Sequence, residues 1–97
     1  MNIEKVSHNE YEGYSFYCPG CKHLHVFYTK HPKGVQWSFN GDFEKPTFSP
    51  SLRNRSNAPG MPQVCHLFVR DGMIEFCNDS DHELAGKTVP LAEESPI

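Results

Sequence analysis

The sequence predicts a single, mostly β domain of two or three hairpins, with a small α+β fold as the alternative. The chain has only 97 residues, which suits one domain spanning residues 1–97. Its apolar residues fall in short aromatic or β-branched segments separated by turn signals. Only residues 81–87 have helical character, and they are too few for an independent helix. We expect an ordered core at about 12–91 with frayed termini.

The first hairpin is predicted around the turn Cys18-Pro19-Gly20-Cys21. Aromatic segments at 14–17 and 24–28 flank this turn like two strands. Proline and glycine let the chain fold back and aim both sulfur atoms at one point. We expect Leu24 to take the apolar face of the second strand.

The second hairpin is predicted at Asn40-Gly41, a strong two-residue turn signal. The alternating segment 35–39 precedes it, and 42–48 is expected to return antiparallel, with Pro46 confining that strand to a sheet edge. Residues 49–63 contain three prolines and a glycine, which predicts a loop.

A third hairpin is predicted for residues 64–69 and 73–77 around Asp71-Gly72. A two-residue turn there places His66 opposite Cys77, whereas a bulge at Gly72 places Cys65 opposite Cys77. Both registers remain open at the level of sequence.

Four cysteines and six histidines are the most informative part of the composition. No signal peptide accompanies the cysteines, and reduced thiolates and imidazoles are good zinc ligands. A core this small gains from a metal cross-link. The sequence therefore predicts bound zinc and a zinc-ribbon-like domain.

Spacing leaves the ligand set open. Cys18 and Cys21 supply two ligands, and the remaining candidates come from the C-terminal third of the chain. Either Cys65 and Cys77 complete a four-sulfur set, or His82 replaces Cys77. His25 is a further candidate, as a ligand or as a partner that orients one.

Polar residues in the segment 37–51 are expected to line a cleft, with Asn40, Asp42 and Ser49 as the candidates. No pair of them has motif spacing for general acid–base chemistry. Ser49 has neither a nucleophile elbow nor an identifiable base, so a Ser-His-Asp hydrolase is not predicted.

The chain resembles a family of small uncharacterised proteins, common in phages and prophages, that are often mislabelled as ammonia monooxygenase. The resemblance covers residues 16–91 and depends on three motifs: Cys18 to Cys21, Trp37 to Ser51, and Cys65 to Gly72 followed by His82 and Leu84 to Gly86. Two positions depart from the pattern, since Lys22 replaces a glycine and Ser80 a cysteine. Some relatives lie beside ubiquitin-like conjugation genes, which implies a protein-modification context.

The resemblance favours His82 as the fourth ligand. The predicted metal set is therefore Cys18, Cys21, Cys65 and His82, with Cys77 and His66 as alternates. His25 is expected behind the ligands, as a partner that orients one of them.

A net charge of −3 argues against nucleic acid as a partner, and no apolar run reaches the length of a membrane span. We interpret the protein as a cytoplasmic, zinc-binding, phage-type accessory module that engages a host or phage protein, and the missing catalytic dyad favours a non-enzymatic role. One alternative is a zinc-dependent hydrolase or peptidase with an open metal site and a carboxylate base such as Asp42, Glu44 or Asp79. Another is single-stranded nucleic-acid binding. The sequence does not predict the oligomeric state.

Overall fold

The computed structural model describes residues 3–57, 59–60 and 64–91. Within these residues the protein is all-β, with no helix, which confirms the mostly β prediction; residues 81–87, judged too few for an independent helix, form bends and turns. Accordingly, no helix in the described ranges is long and apolar enough to cross a membrane. The strands form two antiparallel sheets: β1 (Glu4–His8), β2 (Tyr11–Cys18) and β3 (His23–Lys30) in the first, and β4 (Ser38–Phe39), β5 (Phe48–Arg55), β6 (Val64–Arg70), β7 (Met73–Phe76) and β8 (Thr88–Pro90) in the second.

The first sheet contains the predicted hairpin at the Cys18–Cys21 turn. β2 and β3 pair with Cys18 opposite His23, and the Lys22 N–H closes the turn by donating to the Cys18 carbonyl at 2.7 Å. β1 adds to the outer edge of β2, and Ile3 before it is buried, although the sequence predicted a frayed end here. Residues 92–97, expected to fray at the other end, lie outside the described residues.

The expectation for Leu24 was wrong. Leu24 is 51% exposed, whereas His25 and Phe27 face the core. Side chains alternate along a strand, so burial of the larger Phe27 ring carries His25 inward with it and turns Leu24 out.

The second sheet is a meander in the order β4-β5-β6-β7-β8. The strand β5 occupies much of the segment for which a loop was predicted. β4 pairs with β5 only at Ser38 and Phe39, so residues 40–47 form a longer connection instead of a tight Asn40-Gly41 turn. Asp71-Gly72 is the two-residue turn, because Arg70 pairs with Met73 and both turn residues have the positive φ angles (50° and 77°) that such a turn needs.

The core lies between the two sheets, and aromatic rings join them. The ring of Phe27 on β3 stacks on that of Phe48 on β5 with centroids 4.3 Å apart. From β6, Cys65, Leu67 and Val69 point into this core. Residue His66 therefore projects from the opposite face of the second sheet, and this alternation creates two separate sites.

Candidate active site and metal centre

Three side chains on the outer face of the second sheet form a hydrogen-bonded chain. His66 Nε2 lies 3.1 Å from Ser51 Oγ, and His66 Nδ1 lies 2.9 Å from Asp79 Oδ1 and 3.1 Å from Oδ2. An ionised carboxylate only accepts hydrogen bonds, so the imidazole proton belongs on Nδ1. In neutral His66 the other nitrogen, Nε2, is then free to accept the Ser51 hydroxyl proton.

An irregularity in β5 aims Ser51 at His66. Phe48 pairs with Val69 and Leu52 with Leu67, so three residues of β5, Ser49 to Ser51, span a stretch where β6 has only Phe68. Such bulges redirect side chains and are common next to active sites. Beyond the bulge Arg53 pairs with His66, which leaves Ser51 diagonal to His66 and on the same face.

A short turn after β7 holds Asp79 beside His66. The Ser80 N–H donates to the Cys77 carbonyl at 3.1 Å. The buried Ser80 hydroxyl then accepts from the His66 N–H at 3.0 Å and donates to the His66 carbonyl at 2.9 Å. Ser80 thus continues the pairing of β6 beyond the end of β7 and fixes the backbone next to Asp79.

The electrostatics keep Asp79 ionised. The hydrogen bond from His66 lowers the pKa of Asp79, and the nearby Arg53 guanidinium adds to the effect; Arg53 Nε lies 4.0 Å from Asp79 Oδ2. The His66 side chain is 23% exposed and that of Asp79 is 50% exposed. Both side chains are therefore accessible from solvent.

A second cluster lies on the buried side of the second sheet, between the two sheets. Cys18 Sγ is 3.4 Å from Cys21 Sγ and 3.7 Å from Cys65 Sγ, while His25 Nε2 is 2.9 Å from Cys21 Sγ. All four residues are buried, and their ligand atoms lie within 4.8 Å of one another. Zn–S bonds of 2.3 Å at tetrahedral angles separate sulfur atoms by about 3.8 Å. The cluster therefore has dimensions that suit a metal ion.

Without a bound cation, the three thiols favour ionisation of only one of them. Hydrogen bonds from Cys21 and Cys65 lower the pKa of Cys18. The bond to Cys18 raises the pKa of Cys21 to about 12 and also raises the pKa of Cys65. A bound cation supplies the positive charge that lets several thiols ionise together, so this donor set fits a divalent metal.

The structure brings Cys18, Cys21 and Cys65 together. It places His25, expected behind the ligands, in direct contact with a sulfur. His82 lies beside this cluster, with its Nε2 3.5 Å from Cys65 Sγ. The His82 ring packs against Gly20, and a β-carbon at position 20 would collide with that ring. The two alternates, Cys77 and His66, lie on the other face of the sheet with Asp79.

Two of the predicted cleft residues, Asn40 and Asp42, make hydrogen bonds within the 40–47 connection. Asn40 Oδ1 accepts from the N–H groups of Asp42 and Thr47. Asp42 Oδ1 accepts from the two following N–H groups at 44 and 45. Ser49 is exposed and pairs with Ser38 at the sheet edge.

Sequence reasoning missed the Ser51–His66–Asp79 chain. His66 was predicted only as an alternate metal ligand and Asp79 only as a base for a metal site, while Ser51 was only one of several polar residues in the segment 37–51 that was expected to line a cleft. A triad has no fixed sequence spacing and is recognised by geometry, so only the adjacency of Cys65 and His66 on a strand hinted that one faces the core and the other solvent.

A serine, a histidine and an aspartate hydrogen-bonded in this order are the arrangement of the catalytic triad of serine hydrolases. A family model described as "Bacterial ubiquitination-like system serine protease (BubE)" matches residues 2–77, and the chain belongs to this family. The match includes Ser51 and His66 and ends two residues before Asp79. Neither a curated protein nor a solved structure matches the chain.

The family overturns the interpretation as a non-enzymatic zinc-binding accessory module. That interpretation depended on the absence of a catalytic dyad in the sequence, and the dyad forms only when β5 and β6 pair. The alternative of a peptidase agrees better with the family, although the chemistry it indicates is that of serine and not of an open metal site.

Proposed function

We propose that the protein is a serine protease of a ubiquitination-like system, with Ser51 as nucleophile, His66 as general base and Asp79 as the group that orients His66. One observation carries this proposal: His66 is hydrogen-bonded on both sides, with Nε2 3.1 Å from Ser51 Oγ and Nδ1 2.9 Å from Asp79 Oδ1. The family description supports the same activity.

The reaction follows from the geometry. Ser51 Oγ attacks the carbonyl carbon of the scissile bond while His66 Nε2 takes the hydroxyl proton. Protonated His66 then carries its charge against the ionised Asp79 and gives the proton to the leaving amine, which leaves an acyl group on Ser51. Water, deprotonated by His66, hydrolyses this ester and restores the free hydroxyl.

The exposure of the site favours a polypeptide as substrate. The triad lies on the open face of a sheet, where an extended chain can reach it. We propose that the substrate is a protein of the ubiquitination-like system named in the family description, cleaved at a peptide or isopeptide bond, because both bonds present the same carbonyl to Ser51.

We further propose that the buried cluster binds zinc through Cys18, Cys21, His25 and Cys65, with His82 as the competing fourth ligand. Three ligands come from the β2–β3 hairpin and Cys65 comes from β6. Four protein ligands make a closed site, which is typical of structural zinc. The bound metal supplies a cross-link between the sheets, and Cys65 holds the strand that carries His66.

Labelling by a fluorophosphonate probe and hydrolysis of the proposed protein substrate of the ubiquitination-like system test the catalytic proposal together. Ser51→Ala is expected to abolish labelling and to lower kcat by at least about 10³-fold, with unchanged folding and zinc content. Ser49→Ala is the matched control because this exposed serine lies two residues away on the same strand, and it is expected to retain both activities. Full labelling of the Ser51→Ala protein would refute the assignment.

A further inference from the structure

Cys77 lies beside the triad and has no part in the reaction proposed above. The ligand atoms of His66, Cys77 and Asp79 all lie within 4.8 Å of one another, and the Cys77 thiol is half-buried. The arrangement follows from the sheet: the Cys77 N–H donates to the His66 carbonyl at 2.9 Å, and Asp79 follows in the next turn. The catalytic base and its orienting carboxylate therefore have a thiol next to them.

We propose that Cys77, His66 and Asp79 form a second metal site, which takes up Zn²⁺ reversibly and inhibits the enzyme. Thiolate, imidazole and carboxylate are all zinc ligands. Three protein ligands leave the fourth position to water, so this site is open and exchanges its metal, unlike the buried four-ligand cluster. The inhibition, though not the metal binding, rests on the proposed function.

A cation balances the charge that this cluster gains when the thiol ionises. The carboxylates of Asp79 and Glu75 and the guanidinium group of Arg70 all act on Cys77. Arg70 donates to Glu75 at 2.9 Å and Arg53 Nε lies 4.0 Å from Asp79 Oδ2, so each carboxylate is already paired with one guanidinium group, and the Cys77 thiolate is the charge that a bound cation balances. On binding, Zn²⁺ displaces the thiol proton to solvent and remains Zn²⁺, so no oxidant or reductant is required.

Bound zinc disables the triad at its centre. A ring nitrogen of His66 that ligates zinc no longer serves the triad: at Nε2 it loses the lone pair that accepts the Ser51 proton, and at Nδ1 it loses the proton shared with Asp79. In both cases Ser51 loses its base, so free zinc links the availability of the metal to the rate of proteolysis.

Two measurements on the same samples test the proposal: zinc bound per chain by equilibrium dialysis, and the rate of Ser51 labelling by a fluorophosphonate, both at free Zn²⁺ set by a metal buffer. Protein with its buried site already loaded is compared with Cys77→Ala and with Asn78→Ala, an exposed neighbour in the same turn. We expect one additional zinc in the wild type and in Asn78→Ala. Labelling should slow about tenfold at free zinc about ten times the dissociation constant.

Cys77→Ala is expected to lose the additional zinc and the response to it, each judged against the metal-free rate of that variant. Equal inhibition of Cys77→Ala, or no additional zinc in the wild type, would overturn the proposal. If Ser51 is not labelled even without free zinc, the proposed function fails, and the dialysis still decides whether the second metal site exists.

Discussion

Replacement of Ser80 by alanine tests how the fold positions the triad. The Ser80 hydroxyl makes two hydrogen bonds, one with the N–H and one with the carbonyl of His66, and Ser80 is only 7% exposed. Each such bond contributes about 1 kcal/mol, so Ser80→Ala should lower the free energy of unfolding by about 2 kcal/mol. For a chain of 97 residues this corresponds to a decrease in Tm of about 10 °C.

Ser80→Ala should also lower kcat, because Ser80 fixes the backbone next to Asp79. A displacement of a catalytic group by about 1 Å costs up to roughly 100-fold in rate, so we expect kcat to fall between about ten- and a hundredfold. Urea unfolding of protein whose buried site is loaded, without free zinc, measures the free energy of unfolding, and hydrolysis of the proposed protein substrate under the same conditions measures kcat. Ser15→Ala is the control, since its hydroxyl makes only a 3.5 Å bond. A Ser80→Ala protein with stability within about 0.5 kcal/mol of wild type, or with full kcat, would refute the argument.

Three more outcomes are expected. Asp79→Asn should lower kcat by roughly 10⁴-fold without unfolding the protein, since an amide stabilises the wrong imidazole tautomer; full activity would remove Asp79 from the triad. Chelation of the zinc proposed for the buried cluster, or Cys18→Ser, should unfold much of the chain, as seen by circular dichroism, because the proposed cross-link between the sheets is lost. Phe27→Ala should lower the free energy of unfolding, measured in urea, by about 3–5 kcal/mol, because Phe27 stacks on Phe48 across the core. An unchanged urea midpoint would contradict that packing.

Local chemistry explains why the sequence predicted the hairpins. Asp71 and Gly72 both adopt positive φ angles, so these two residues are enough to specify the turn between β6 and β7. The Cys18–Cys21 turn and its aromatic flanks likewise indicated the β2–β3 hairpin. The same reasoning failed at β5, where prolines indicated a loop. Pro50 lies in the irregular stretch between Phe48 and Leu52, where the pairing with β6 does not require a hydrogen bond from its missing N–H.

The choice of strand face could not be predicted locally. In β3 both alternating sets contain apolar side chains, and only the contact of Phe27 with the other sheet selects the set that includes His25. For this reason the sequence predicted the three cysteines as metal ligands but placed His25 behind them.

By itself, then, the sequence determined the β class, two of the three predicted hairpin turns and the residue types of a candidate metal site, because each depends on neighbours along the chain. The tertiary structure alone decided the triad. Ser51, His66 and Asp79 come from β5, β6 and the turn after β7, and they meet only through the offset register between Phe48 and Leu52 and the Ser80 bridge. Such pairing depends on the free energy of the whole sheet, which no short segment encodes.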